Sequence, residues 1–254
     1  MGCLFRGSLK VFPLEQAWNS QMNSRSAERW KVVVSCSESR PSFERFPTAP
    51  TLIQPQVVVF DLGKVLLDFD FNKAARALAG DSSFSADQVL GLINQTPLLH
   101  RYETGLMSTQ EFFYEVRGLT GYRRTLAEFC RQLGDIFSEV ALMVELNRYF
   151  RSQGLPTYIF SNTSELAVDH IRATYPFFSE FTGYILSYEH HVMKPDPQLY
   201  EIVERTTGAA GGRILYFDDR AENIETAHRR GWQVFLHDRP QDTLVALRQS
   251  GLVP

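Results

Sequence analysis

From Pro55 onward, short runs of consecutive apolar residues, many of them β-branched or aromatic, alternate with longer stretches whose apolar positions recur every three or four residues. The runs are VVVFD (57–61), PTYIFSN (156–162), GYILS (183–187), RILYFDD (213–219) and WQVFLH (232–237). An unbroken apolar run has no polar face to offer to water, so each predicts a strand buried on both sides, as in parallel sheets covered by helices. The amphipathic stretches between them predict helices at about 164–174, 196–207, 220–230 and 241–250, each opening near Ser, Asp or another residue able to cap a helix start. Strand alternating with helix predicts an α/β fold, a parallel sheet wrapped by helices.

The interval from Asn72 to about Gln153 breaks this alternation. Segments such as FNKAARALAG, SADQVLGLINQ, STQEFFYEVRGL and RTLAEFCRQLGDIF have helical periodicity, and no strand is expected among them. They predict a small helical bundle inserted after the first strand, above the carboxyl ends of the strands, where open α/β sheets place their ligands. Residues 72–153 are therefore expected to form a lid or cap, with 55–71 and 154–254 forming the core. Residues 1–54 differ from both, being rich in Ser, Arg and Pro around one apolar patch, WKVVVSC. They are expected to be a largely disordered extension. Glu15, Glu28, Glu38 and Glu44 oppose an organellar transit segment, and a translation start placed upstream of the true domain is the plainer explanation.

Composition narrows the picture only slightly. The chain has 254 residues, 44% of them hydrophobic, enough for one large core or a core with a small accessory unit. A formal net charge of -3 gives no long-range attraction to nucleic acid or to an anionic membrane, so neither is expected as a partner. Cys3, Cys36 and Cys130 are widely spaced and form no CxxC, which argues against a disulfide framework or a zinc site and for the reducing cytoplasm. No apolar run approaches the roughly 20 residues that span a bilayer.

Candidate chemistry sits where predicted strands end. Asp61 closes the first strand in Phe60-Asp61-Leu62-Gly63-Lys64-Val65; a carboxylate there can attack a phosphoryl group if a cation offsets the repulsion between two anions. Phe160-Ser161-Asn162-Thr163 ends a second strand in small hydrogen-bonding side chains able to hold phosphate oxygens. In Met193-Lys194-Pro195-Asp196-Pro197 two prolines fix the backbone around one lysine, whose ammonium can stabilise charge on a carboxylate and a phosphoryl group. Tyr216-Phe217-Asp218-Asp219-Arg220-Ala221-Glu222-Asn223 places two adjacent acids after a buried strand, a costly arrangement unless a cation or hydrogen bonds compensate it, and oxygen-only ligation suits Mg²⁺. Each has a plainer reading by itself: a turn cap at Asp61, ordinary helix capping by Ser-Asn-Thr and by Asp-Asp, and a surface lysine.

Together, in this order, the four motifs resemble the haloacid dehalogenase superfamily over about Val57 to Leu236. The resemblance implies a Rossmann-like three-layer core with an inserted all-helical cap, and an aspartyl-phosphate mechanism. It implies that Asp61 is nucleophile and magnesium ligand, that the backbone carbonyl of Gly63 is a further ligand, and that Asp218 and Asp219 complete the Mg²⁺ site. Ser161 and Asn162 would contact the transferring phosphoryl group, Lys194 would bridge it to Asp61, and Asn223 would orient the last loop. FDLGKVLLDFDFNKAARALA, YETGLMSTQEFF and YFDDRAENIETA look most like the branch holding bacterial α-D-glucose-1-phosphate phosphatase and the amino-terminal phosphatase domain of soluble epoxide hydrolases. A small phosphorylated metabolite, a sugar phosphate first, is the implied substrate.

One position departs from the pattern. Phosphatases of this superfamily carry a second Asp two residues after the nucleophile as general acid and base, and here that residue is Gly63. Two other readings therefore stand beside the phosphatase: a metal-independent 2-haloacid dehalogenase, which needs no acid for a halide, and a non-catalytic binding protein of the same fold. The acidic pair favours phosphate chemistry. Asp68, Asp70, His190 and His191 lie close enough in sequence to reach the site, but are read as solvated charges and loop residues.

Overall fold

The computed structural model of the protein describes residues 53–94 and 96–254, so the expectation for residues 1–54 lies, but for its last two residues, outside the described part. Seven strands are present there: β1 (Val57–Phe60), β2 (Leu67–Phe69), β3 (Phe137–Glu139), β4 (Thr157–Ser161), β5 (Gly183–Leu186), β6 (Ile214–Asp218) and β7 (Gln233–Leu236). Five of them form one parallel sheet in the order β5-β4-β1-β6-β7. These are the five apolar runs of the sequence, each trimmed by one or two residues. β1 lies at the centre between β4 and β6, so the residue that follows it, Asp61, emerges in the middle of the sheet's carboxyl edge.

Period-two alternation assigns side chains to two cores. Val58 and Phe60 of β1, Ile159 of β4, Leu215 and Phe217 of β6 and Phe235 of β7 point to one face; Val57, Val59, Phe160, Ile214, Tyr216 and Val234 point to the other. Helices α1 (Phe71–Gly80), α2 (Ala86–Ile93), α3 (Pro97–Glu103), α4 (Thr109–Thr120) and α5 (Leu126–Gly134) precede β3, and α6 (Ala141–Ser152) follows it. After β4 come α7 (Glu165–Thr174), α8 (Ser187–His190), α9 (Pro197–Thr207), α10 (Ala221–Arg229) and α11 (Pro240–Gln249). The first face is covered by α6, α7 and α11 through Val144, Phe150, Val168, Ile171 and Leu247, the second by α9 and α10 through Leu199, Tyr200, Val203, Ile224 and Ala227. The result is the three-layer α/β core.

Helices α1 to α5 have a core of their own, in which Tyr102 stacks on Phe112 at 4.3 Å and Phe113, Tyr122 and Phe129 meet edge to face. Local sequence sets their starts: Ser85 with Gln88, Ser108 with Glu111 and Thr125 with Glu128 each form a reciprocal capping box. The chain leaves and re-enters the sheet through an antiparallel ribbon of β2 and β3.

Two details of the 72–153 interval differ from the sequence reading. It holds a strand, β3, because Phe137–Glu139 is held as a strand by pairing with β2, a tertiary contact with no signal in three residues. Its last helix, α6, packs with the sheet, since Met143, Val144, Leu146 and Phe150 join the first-face core; helical periodicity shows that a face is apolar, not what covers it.

Phe217 carries much of the first-face core, lying between Phe60 at 5.0 Å and Phe235 at 5.5 Å. Phe217→Ala is expected to lower unfolding free energy by about 3–5 kcal/mol in a denaturant titration, the range for emptying a large aromatic site; a loss below about 1 kcal/mol would contradict this packing.

Candidate active site

The carboxyl ends of β1, β4 and β6 bring Asp61, Ser161, Asn162, Asp218 and Asp219 together, and Lys194 enters from the loop before α9. Lys194 is the junction. Its ammonium lies 2.9 Å from Asp61 Oδ1 and 2.7 Å from Asp218 Oδ2, and donates its third hydrogen bond to the Phe160 carbonyl at 2.9 Å. Only 5% of the residue is exposed. Burial works against its charge, but the carboxylates of Asp218 and Asp61 outweigh that and hold the Lys194 pKa above its ordinary value.

Asn162 grips this lysine by its backbone: the amide Nδ2 donates to the Lys194 carbonyl at 2.9 Å and Oδ1 accepts from the Lys194 N–H at 2.8 Å. That leaves one amide hydrogen of Asn162 for a ligand. Ser161 is 2% exposed and lines the cavity beside it.

Asp218 is wholly buried and densely bonded. Its Oδ1 accepts from the Arg220 N–H at 2.8 Å and Asn223 Nδ2 at 2.9 Å, while Oδ2 accepts from Lys194 and from the Tyr216 hydroxyl. Asn223 therefore does orient the last loop. In contrast, both bonds to the Asp61 carboxylate fall on Oδ1, from Leu62 N–H at 2.7 Å and from Lys194, so Oδ2 is free of hydrogen bonds among the described residues.

Oxygens of Asp61, Asp218 and Asp219 lie within 4.8 Å of one another. Burial, and then the neighbouring carboxylates of Asp218 and Asp219, overcome the pull of Lys194 and push the Asp61 carboxyl up to about 8. Asp219 is raised as well, by burial and by Asp218. The raised Asp61 and Asp219 carboxyls show that one ammonium is too little positive charge for three acids, and the donors are all oxygen. The residues present fit a hard divalent cation.

Asp61, Ser161, Asn162, Lys194 and Asp219 face a cavity of about 890 Å³ between the sheet and α1–α5, which Gly63, Glu103 and Arg220 also line, while Asp218 is buried behind them. Gly63 has a steric reason to be glycine: a β-carbon there falls 2.9 Å from Cε1 of Phe69. That ring is held by Phe71 at 5.1 Å and Phe137 at 6.3 Å, with the Lys64 ammonium 4.4 Å above its face. Asp68 pairs with Lys64 and Asp70 caps α1, so both acids are occupied at the cap entrance.

His191 does more than its loop position predicts, its Nδ1 lying 2.9 Å from the Thr104 carbonyl. Glu103 lines the cavity, Tyr216 bonds Asp218 and Ser187 bonds the Glu103 carbonyl; Glu103 and Tyr216 fall inside the YETG and YFDD segments without a role marked for either, and nothing in the sequence marked Ser187.

A buried aspartate with one open oxygen, a bridging lysine and a cation-compatible acidic cluster stand together at the carboxyl edge of a parallel sheet, an arrangement compatible with hydrolase chemistry. The chain belongs to the haloacid dehalogenase-like hydrolase family, whose model matches residues 55–231. It is similar to D-ribitol-5-phosphate phosphatase of Bacteroides thetaiotaomicron, 26% identical over 73% of this chain and 93% of that one. A sesquiterpene phosphatase of Aspergillus oryzae is 25% identical over 72% of this chain and 89% of its own. Among solved structures, the magnesium complex of a haloacid dehalogenase family enzyme from Bacteroides thetaiotaomicron shares the fold, with a TM-score of 0.68 at 19% identity over 77% of this chain and all of that one.

Restoring the second aspartate by Gly63→Asp is expected to cost about 1–3 kcal/mol of stability in thermal or denaturant unfolding, because the Phe69 ring must move. Unchanged stability would show that the ring yields freely.

Proposed function

We propose that the protein is a Mg²⁺-dependent phosphoric monoester hydrolase that acts on a small phosphorylated metabolite through an aspartyl-phosphate on Asp61. The observation that carries this reading is the Lys194 bridge between Asp61 and Asp218, with Asp219 in reach and one carboxylate oxygen of Asp61 left open. Oδ2 of Asp61 attacks phosphorus in its ionised form; Lys194 orients the carboxylate and opposes the burial that favours its protonation, and the charge of a bound cation would favour ionisation further. Ser161 Oγ and the remaining amide hydrogen of Asn162 hold phosphoryl oxygens. Asp61, the carbonyl of Gly63 and Asp219 would hold Mg²⁺; Asp218, the further expected ligand, has its oxygens occupied by Lys194, Tyr216, Asn223 and the Arg220 amide, and would ligate only by giving up one of those bonds, otherwise adding its charge from behind the set. When bound, the cation supplies the positive charge that lets two anions approach each other.

Phosphatase names among the relatives support the reaction class, and the ribitol phosphate enzyme supports a polyol or sugar phosphate, glucose 1-phosphate included. The 2-haloacid dehalogenase reading draws on Gly63 alone. It gives no use to Asp219, an acid that raises its own cost beside Asp218.

The purified protein is expected to hydrolyse p-nitrophenyl phosphate and members of a sugar and polyol phosphate panel with Mg²⁺, to stop in EDTA, and to recover when Mg²⁺ is restored. Asp61→Asn should lower turnover by more than about 10³-fold, as loss of a nucleophile does. Silence on every phosphate ester contradicts the reading, and metal-independent halide release from 2-haloacids replaces it with the dehalogenase.

A further inference from the structure

A hydrolase that leaves a phosphoryl group on Asp61 must hand a proton to the departing oxygen, and position 63 cannot supply it. Phe69 occupies the space a side chain there would need. On the wall of the same cavity, at the last turn of α3, stands a carboxyl that no other side chain among the described residues bonds. Glu103 lines the cavity together with Asp61, Lys194 and Asp219, and its side chain makes no hydrogen bond or salt bridge among the described residues. Glu222, another acid of the cavity wall, is paired with Arg220.

Glu103 is also held in place. Its carbonyl accepts from Ser187 Oγ at 2.6 Å, and the same hydroxyl accepts from the Thr163 N–H at 2.9 Å, two residues beyond Ser161. The next residue, Thr104, is tied through its carbonyl to His191. Gly105 follows in the left-handed region at φ 66°, and a β-carbon there would meet the Tyr188 carbonyl at 2.1 Å. The turn after α3 is thus pressed onto α8 and His191, which hold the backbone at and after Glu103 and leave its side chain to the cavity.

We propose that Glu103 is the proton donor and acceptor of this hydrolase, taking over from the cap side the work for which Gly63 has no side chain. The inference rests on the phosphatase reading above. In the first step Asp61 Oδ2 bonds to phosphorus, the bond from phosphorus to the leaving oxygen breaks, and the Glu103 carboxyl gives that oxygen its proton, leaving an alcohol and a carboxylate. In the second, water attacks the aspartyl-phosphate, its proton passes to the Glu103 carboxylate, and the bond from phosphorus to Asp61 breaks to release inorganic phosphate. Both residues return to their starting state.

The charge environment suits a group that must do both. Burial lifts the Glu103 carboxyl to about 7 against the opposing pull of Arg220 on the loop after β6. His100 and Arg101 lie on its own helix, Tyr188 of α8 and His191 flank the turn that follows it, and Asp61, Lys194, Asp219 and Glu222 share the cavity with it.

The test is leaving-group dependence. On the wild-type protein, kcat/KM across substituted phenyl phosphates of rising leaving-group pKa should fall only shallowly, because the leaving oxygen departs protonated. Glu103→Gln and Glu103→Ala should lose about 10²-fold or more in kcat/KM on the poorest leaving group and at least about tenfold less on the best. For the poorest leaving group, the wild-type value should decline above pH about 7 as the donor loses its proton; in Glu103→Gln that decline should disappear. A purely structural role for Glu103 would lower all substrates equally and keep the pH limb, which overturns the proposal, as does full activity of both variants. Should neither variant fold, a steep fall across the series in the wild type overturns it without them. Failure of the phosphatase reading looks different, since the wild type would then hydrolyse no member of the series.

Discussion

One buried ammonium organises this protein. Lys194 touches the carboxylate that follows β1, the carboxylate that ends β6 and the next-to-last carbonyl of β4, so a single side chain joins the three central strands at their carboxyl edge. Taking an ion pair out of water costs several kcal/mol per ion unless every remaining proton and lone pair is satisfied. The surroundings meet that condition: Asn162 holds the lysine backbone from both sides, and Tyr216, Asn223 and the Arg220 amide saturate Asp218. What they leave over is negative charge at Asp61 and Asp219, facing the cavity. The same arrangement that lets the lysine be buried therefore leaves an acidic, oxygen-only set suited to a hard divalent cation.

Above this junction the cap imposes a second constraint. Its ribbon of β2 and β3 carries Phe69 into the space beside Gly63, and its α3 turn rests on Ser187 and His191 of the core. The first contact fills the space that a side chain at position 63 would need; the second sets the Glu103 carboxyl on the wall of the same cavity. The glycine and the glutamate are two consequences of one docking geometry.

The parallel sheet was legible because VVVF, TYIFS and ILYFD have no polar face, and their chain order with intervening helices leaves few topologies. The motif residues were legible because strand ends are where such sheets bind ligands. What stayed hidden depends on contacts distant in sequence. Asp218 reads as one of two equivalent acids, yet its neighbours fill its oxygens while Asp219 is left open. Asn162 reads as a phosphate contact, yet most of its amide holds Lys194, 32 residues away. Phe69 gives no hint that it fills the space beside Gly63, and α6 resembles the cap helices until its apolar face is seen against the sheet.

The most direct test of the central role given to Asp61 is to trap what it carries. The protein, mixed with a radiolabelled phosphate ester and Mg²⁺ and quenched in acid during turnover, should carry label on the peptide containing Asp61, and hydroxylamine should release it as an acyl phosphate. Steady turnover with no label on that peptide, or with stable label on another residue, would contradict the account.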